Sequence, residues 1–295
     1  MRQRRKAVLV ADYIASVSGG KDSAAMCLYL KEQEIDHHRV FFDTGWEHPE
    51  LYRYLKNELP KAIGPIEWVT APLPKLDQER EALAINYEER LGHKSAMVRW
   101  MLYKAMFPSR MRRWCTETLK IKALKAYMRS KEFDLPVNTV GVRAAESKYR
   151  STLPERELST SLDCMVWRPL LRWSTQDVID IHTRHQLKPC LLYLKGADRV
   201  GCWPCIFSRK SEVRYLAETD QHRVDLIRDL EADLTRLCGS KRAMLRKGDD
   251  LVGIDETVRW SKTSRGGKQF SMFRQDEIEP GCMSWGLCDT GNDLG

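Results

Sequence analysis

The feature that most constrains this chain is an apolar run, Tyr13-Ile14-Ala15-Ser16-Val17, that leads straight into Ser18-Gly19-Gly20-Lys21-Asp22-Ser23 and then into a helical pattern from Ser23 to Gln33. A buried strand, a glycine turn and a helix start, in that order, make an anion site. The glycines expose backbone N–H groups, and the helix N-terminus adds a favourable field. Lys21 supplies a mobile positive charge, Asp22 is placed to organise a magnesium ion, and Ser18 and Ser23 offer hydroxyl donors. The other common phosphate loop needs glycine, four intervening residues and then Gly-Lys-Ser or Gly-Lys-Thr, a spacing absent here. The bland alternative is a serine-capped turn with two glycines and no ligand.

The first half of the chain alternates strand and helix signals. Arg39 to Phe42, Ile66 to Val69 and Val137 to Val142 read as further strands, and Glu50 to Leu59 as a helix. Strands separated by helices imply βαβ units, hence an α/β fold with a parallel twisted sheet, helices on both faces and ligands at the carboxyl ends of the strands. A helical stretch from about Lys75 to Lys131 is expected to cover the sheet. Ser174-Thr175-Gln176-Asp177 has the form of a capping box opening a helix through His185. Beyond Gly201 the pattern changes to a charged helix from about Ser211 to Leu237, then Gly- and Lys-rich loops. The division expected is 1–195 for the nucleotide-binding α/β domain and 196–295 for a smaller, mainly helical, cysteine-bearing region.

With 42% hydrophobic and 31% charged residues, and no apolar run near the roughly 20 residues that span a bilayer, the chain reads as a soluble protein with no membrane partner. Asp12 interrupts the apolar stretch that follows the basic N-terminus, and no cleavage site follows it, so a cytoplasmic location is expected. A formal charge of +8 calls for an anionic partner without choosing between nucleotide and nucleic acid. Nine cysteines, an odd count in a chain with no export signal, are expected to be thiols or metal ligands rather than a disulfide framework.

At the glycine loop the chain resembles the PP-loop ATP pyrophosphatases, and the resemblance continues along about Tyr13 to Arg209. Phe41-Phe42-Asp43-Thr44-Gly45-Trp46-Glu47-His48-Pro49-Glu50 is similar to the second signature of the phosphoadenosine phosphosulfate (PAPS) reductase-like branch. Gly141-Val142-Arg143-Ala144-Ala145-Glu146-Ser147, with Arg150, resembles its third, and Trp167-Arg168-Pro169-Leu170 with Trp173-Ser174 its fourth. The resemblance implies an adenine nucleotide alpha hydrolase-like fold binding ATP across the sheet. It makes Ser18 to Ser23, Asp43, Thr44, Gly141, Arg143, Glu146 and Arg150 nucleotide ligands, with Lys21, Asp22 and Arg143 catalytic. Read as bare residues, Asp43 could merely cap a turn, Arg143 and Arg150 could be surface charges, and His48 could complete a helix entry.

Gly201-Cys202-Trp203-Pro204-Cys205 brings two thiols onto one tight turn, half of a metal site. Cys115 sits where the resemblance to sulfur-handling members places a cluster cysteine. Cys115, Cys202, Cys205 and Cys288 are therefore expected to hold a [4Fe–4S] cluster, with Cys282 the substitute for Cys288. Zinc or a redox dithiol fits the same spacing. Cys27, Cys164, Cys190 and Cys238 read as buried small residues. Arg110, Arg112 and Arg113, with Trp114 as a stacking surface, could grip a polyanion, or could be a solvated helix face or nucleotide-phosphate contacts near Cys115.

Two chemistries follow from the resemblance. In one, ATP adenylates an acceptor oxygen, pyrophosphate leaves, and a sulfur donor displaces AMP; the resemblance allows a tRNA base, the DNA backbone, a small metabolite or sulfate as acceptor, and the charge favours nucleic acid, reached directly or through a nucleic-acid-binding partner. In the other, the protein is a PAPS reductase whose terminal cysteine attacks an already activated sulfate. True reductases depart from the intact Lys-Asp loop and carry a terminal Glu-Cys-Gly-Leu-His, which Gly286-Leu287-Cys288-Asp289 only echoes. The first chemistry is favoured. A sulfate adenylyltransferase subunit would leave the cysteines unexplained, and a nucleotide-sensing or DNA-binding module without turnover is the rival of a different class.

Overall fold

The computed structural model describes residues 11–195, 197, 199–247 and 250–263. Cys282 and Cys288 lie outside the described residues. Packing divides the chain into two compact units that interleave along the sequence: one takes the chain up to 42, then 50–69 and 121–191, and the other takes 43–49, 70–120 and the residues from 192 on. The single boundary at 195/196 read from the sequence treats the chain as two successive blocks, whereas the packing alternates between the two units before 192.

The first unit is built on a six-stranded sheet in the order β3-β2-β1-β4-β6-β5. Its strands are β1 (Asp12–Val17), β2 (His37–Asp43), β3 (Glu67–Thr70), β4 (Pro136–Thr139), β5 (Arg156–Ser159) and β6 (Cys164–Trp167). β1 pairs in parallel with β2 and β4, and β4 with β6, while β5 closes the edge antiparallel to β6. The central strand β1 buries Ile14, Ala15 and Val17 because a parallel strand covered on both faces is apolar almost throughout. Ser16 tolerates that position by donating its hydroxyl to Asn138 Oδ1 on β4, 2.9 Å away.

The structure lengthens β2 beyond the expected Arg39 to Phe42 and shortens the fourth strand, which stops at Thr139. The short pair β5 and β6 is an addition to the strands expected. The helix Lys21–Glu32 follows β1, and Thr175–Arg184 opens with the expected capping box: Asp177 N–H donates to Ser174 Oγ (3.1 Å) and Ser174 N–H to the Asp177 carboxylate (2.7 Å). The 70–120 stretch does not belong to the sheet unit.

In the second unit, the helices Gln78–Leu91 and Ala96–Lys104 are capped by Asp77 and Ser95, and Gly92, at φ +74°, ends the first of them. Glu88 joins them, accepting the Ser95 N–H (3.0 Å) and the Arg99 guanidinium (2.7 Å). The expected 211–237 helix is two, Lys210–Thr219 and Gln221–Cys238, because Asp220 turns its carboxylate to cap Arg223 N–H (2.9 Å) and accept Trp203 Nε1 (3.0 Å). A hairpin of β7 (Leu245–Lys247) and β8 (Asp250–Val252) and the helix Ile254–Ser261 complete the unit.

Glu231 pins these last elements together. Its carboxylate, 9% exposed, accepts Met244 N–H at 3.1 Å and Ile254 N–H at 2.9 Å. Burial outweighs these two donors and raises its pKa to about 7. The fold therefore favours the protonated acid, and its contribution is largest below the ordinary carboxylate range and is lost as pH rises through 7. Relative to Glu231→Gln, the wild type should lose about 3 kcal/mol of unfolding free energy between pH 4.5 and pH 8. Denaturant titrations of the two proteins across that range check it, and a difference that does not vary with pH contradicts it.

Candidate functional site

The phosphate loop leaves the carboxyl end of β1. Gly19 takes φ +72°, a left-handed conformation that favours glycine, and a methyl group there would lie 2.4 Å from Leu51 Cδ1, the end of a side chain that would have to move. Ser23 Oγ accepts Ser18 N–H and Ser18 Oγ–H, each at 3.1 Å, and donates to Gly20 carbonyl at 2.9 Å. The two serine hydroxyls expected to meet phosphate thus brace the loop internally. Gly20 caps the helix Lys21–Glu32 with no side-chain acceptor, and Lys21 is half-buried at its first position. First-turn amides, a helix field and one ammonium together define an anion cradle.

The third signature follows β4, the strand beside β1, and meets the loop directly. Gly141 packs so closely on the helix start that an added Cβ would be 2.5 Å from the Asp22 carbonyl oxygen. Arg143, only 4% exposed, donates from Nε to Asp22 Oδ1 at 2.5 Å and from Nη1 to Thr175 Oγ1 at 3.2 Å. The pair is neutralised where it is desolvated, which is how a buried guanidinium is tolerated. Arg143 engages Asp22 through Oδ1. Glu146 accepts the Arg143 N–H at 3.0 Å and pairs with Arg150, so these two residues shape the turn that presents Arg143.

His182 carries no motif that marks it in the sequence. Buried on Thr175–Arg184, it sets Nε2 2.9 Å from the Lys21 carbonyl and Nδ1 3.2 Å from that of Leu187, and burial holds its pKa below the usual histidine range. Arg168 of the fourth signature donates to the Pro154 carbonyl (2.9 Å) and pairs with Glu157, tying β6 to the segment leading into β5.

In the second unit, the second signature folds around the cysteine turn. Asp43 accepts Gly45 N–H (2.8 Å), and the fully buried Thr44 donates its hydroxyl to Glu47 Oε1 (2.8 Å). Gly45, at φ +69°, has the Ser95 backbone where a Cβ would be, at 2.4 Å. An antiparallel bridge joins Glu47 to Cys202, with His48 N–H donating to Gly201 carbonyl (3.2 Å) and Trp203 N–H to Trp46 carbonyl (2.8 Å). Trp46 Nε1 donates to Pro204 carbonyl at 3.1 Å, and the His48 ring lies edge-on to Trp203 at 4.7 Å.

This frame brings Cys115, Cys202 and Cys205 within electrostatic reach of one another and of Lys120 and Glu47. Burial, reinforced by the Glu47 carboxylate, pushes the Cys202 thiol up to about 12, and burial raises that of Cys115. Arg199, which donates from Nε to Glu212 Oε1 at 3.3 Å, lies within electrostatic reach of Cys205. Three of the four expected thiol donors therefore share one neighbourhood. No group of three or more metal-type side chains among the described residues is spaced to hold a single ion. Cys27, Cys164 and Cys190 are buried as expected, whereas Cys238 is partly exposed against Arg242.

A mainly parallel sheet with a glycine-lysine phosphate loop at the end of its central strand defines the PP-loop class of nucleotide-binding enzymes. Residues 12–208 match the family model described as the phosphoadenosine phosphosulfate reductase domain, and the chain belongs to that family. An uncharacterized 37.8 kDa protein of Escherichia phage 186 is 29% identical over 324 residues, covering 94% of this chain and 96% of that one. An uncharacterized protein of Methanocaldococcus jannaschii is 31% identical over 208 residues, covering 68% of this chain but only 36% of its own length. Among solved structures, the phosphoadenylyl-sulfate reductase of Candida auris in its phosphate complex is 18% identical with a TM-score of 0.46, covering 67% of this chain and 84% of that one. No helix among the described residues is long and apolar enough to cross a membrane.

Proposed function

We propose that the protein is an ATP pyrophosphatase that adenylates an acceptor oxygen for sulfur transfer, with nucleic acid as the acceptor. The observation that carries this reading is the intact loop, in which Lys21 and Asp22 open the helix and Arg143 fixes the Asp22 carboxylate. The acceptor oxygen attacks the α-phosphorus of ATP, the bond to the β-phosphate breaks, and pyrophosphate leaves. Lys21 and a magnesium ion at Asp22 absorb the charge that develops on it. A sulfur donor then attacks the adenylated carbon or phosphorus, and AMP departs with the acceptor oxygen. Asp43, Glu146 and Arg150 support the nucleotide-bearing turns.

Cys115, Cys202 and Cys205, with Cys288 or Cys282, are assigned as ligands of a [4Fe–4S] cluster, zinc being the alternative. Held by Cys115, Cys202 and Cys205 alone, the cluster would leave one iron open and able to carry sulfur, whereas a fourth thiolate would close it and leave the cluster a structural or electron-transfer role. Protein purified without oxygen should contain about four iron and four sulfide per chain, and a colourless protein with one zinc removes the cluster from the proposal.

Incorporation of radiolabelled sulfur into tRNA or DNA tests the function. It is expected only with ATP present. ATP-independent release of sulfite from PAPS would favour the reductase, and nucleotide binding without any turnover would favour a sensing or DNA-binding module.

A further inference from the structure

We infer that the turn at 109–113, together with Phe207, grips single-stranded nucleic acid at the rim of the thiol cluster. This inference rests on the nucleic-acid acceptor proposed above. Ser109 N–H donates to Arg112 carbonyl (3.1 Å) and Arg112 N–H to Ser109 Oγ (3.0 Å), which fixes a short turn carrying Arg110, Met111, Arg112 and Arg113, all exposed, with Met111 at 87%.

Arg80, Arg90, Arg99, Arg228 and Arg236 of the same unit are all in ion pairs with carboxylates. Among the described residues, Arg110, Arg112 and Arg113 have none. Two of them share one aromatic neighbour, the guanidinium carbons of Arg110 and Arg113 lying 5.7 and 5.2 Å from the centre of the Phe207 ring. A ring shared by two guanidiniums lowers the entropy lost when their planar forks meet phosphates, and those planes also stack on bases. Trp114, the stacking surface expected from the sequence, is buried under Lys104 instead, 5.9 Å away.

The position of this patch matters as much as its charge. Arg113 precedes Cys115 by two residues and Phe207 follows Cys205 by two, so the phosphate grip and the thiols share the same two segments. Those thiols are only partly exposed. An acceptor atom inside a stacked duplex could not be delivered to them without extrusion, whereas an unpaired strand can be. Three unpaired guanidiniums, an apolar tip and a half-buried group of thiols fit a single strand.

The test uses the full chain and fluorescent single strands of about 15 nucleotides, DNA and RNA, beside the matching duplex. The wild type should bind the single strands, and the Arg110→Ala/Arg113→Ala protein should bind them at least tenfold more weakly. Its dependence of log affinity on log salt should be flatter by about 1.4, at about 0.7 for each phosphate that the protein no longer neutralises. Phe207→Leu should weaken binding severalfold while keeping the salt slope, because charge is unchanged. ATP affinity of each variant should match the wild type and serves as the check on folding. Wild-type binding that the double substitution leaves intact overturns the grip and spares the nucleic-acid reading. Preference for duplex, or equal Arg-dependent binding of poly-glutamate, also overturns the grip. Failure of the wild type to bind any nucleic acid overturns both.

Discussion

Replacing Gly141 by alanine is expected to abolish ATP binding and to destabilise the sheet unit by about 3 kcal/mol. The added methyl would lie 2.5 Å from the Asp22 carbonyl oxygen, 2.7 Å from its carbon and 2.9 Å from Ser23 nitrogen. All three are backbone atoms of the helix start, so no side chain can swing away, and the first turn must shift together with the Asp22–Arg143 pair. Gly92→Ala is the informative comparison. Its Cβ meets nothing within 4 Å, so only its left-handed φ of +74° is strained, and ATP binding should survive. Isothermal titration with ATP and chemical unfolding of both variants decide the matter, and a Gly141→Ala protein that binds ATP like the wild type contradicts the packing argument.

Lys21→Ala is expected to lower the rate of ATP cleavage by about a hundredfold to a thousandfold, the loss typical of one group that stabilises developing charge. The side chain is half-buried at a helix start rather than in the core, so unfolding should change little. Stopped assays of product formation alongside thermal melting separate the two effects. A variant that melts like the wild type and turns over at the wild-type rate would remove Lys21 from the chemistry.

Much of the sheet unit was legible because β1, the loop and the first helix are contiguous, and local periodicity reports contiguous elements well. The capping box at Ser174 was legible for the same reason. β5 and β6 were not: four residues each, they give too short a pattern, and β5 leaves Leu158 exposed at the sheet edge. The interleaving of the units was invisible because it depends on pairings such as Glu47 with Cys202, which lie far apart in sequence.

The site shows the same division. Gly141 and Arg143 were recognisable from the third signature, but their role against Asp22 needed the third dimension. Thr44 and the two loop serines carry hydroxyls that suit a ligand, and the structure commits them to Glu47 and to each other. His182 and Lys120 gave no sequence signal, since a lone histidine on a helix and a lysine in a charged stretch acquire meaning only from the Lys21 carbonyl and the thiols they approach.

The most direct test of ATP cleavage by this loop is the fate of ATP labelled at its α-phosphate, incubated with magnesium and nucleic acid and resolved by chromatography. The label should appear in AMP or in an adenylated acceptor, with one pyrophosphate released for each, and both products should disappear with Lys21→Ala. Label recovered in ADP with release of orthophosphate, or pyrophosphate release undiminished by Lys21→Ala, would contradict it.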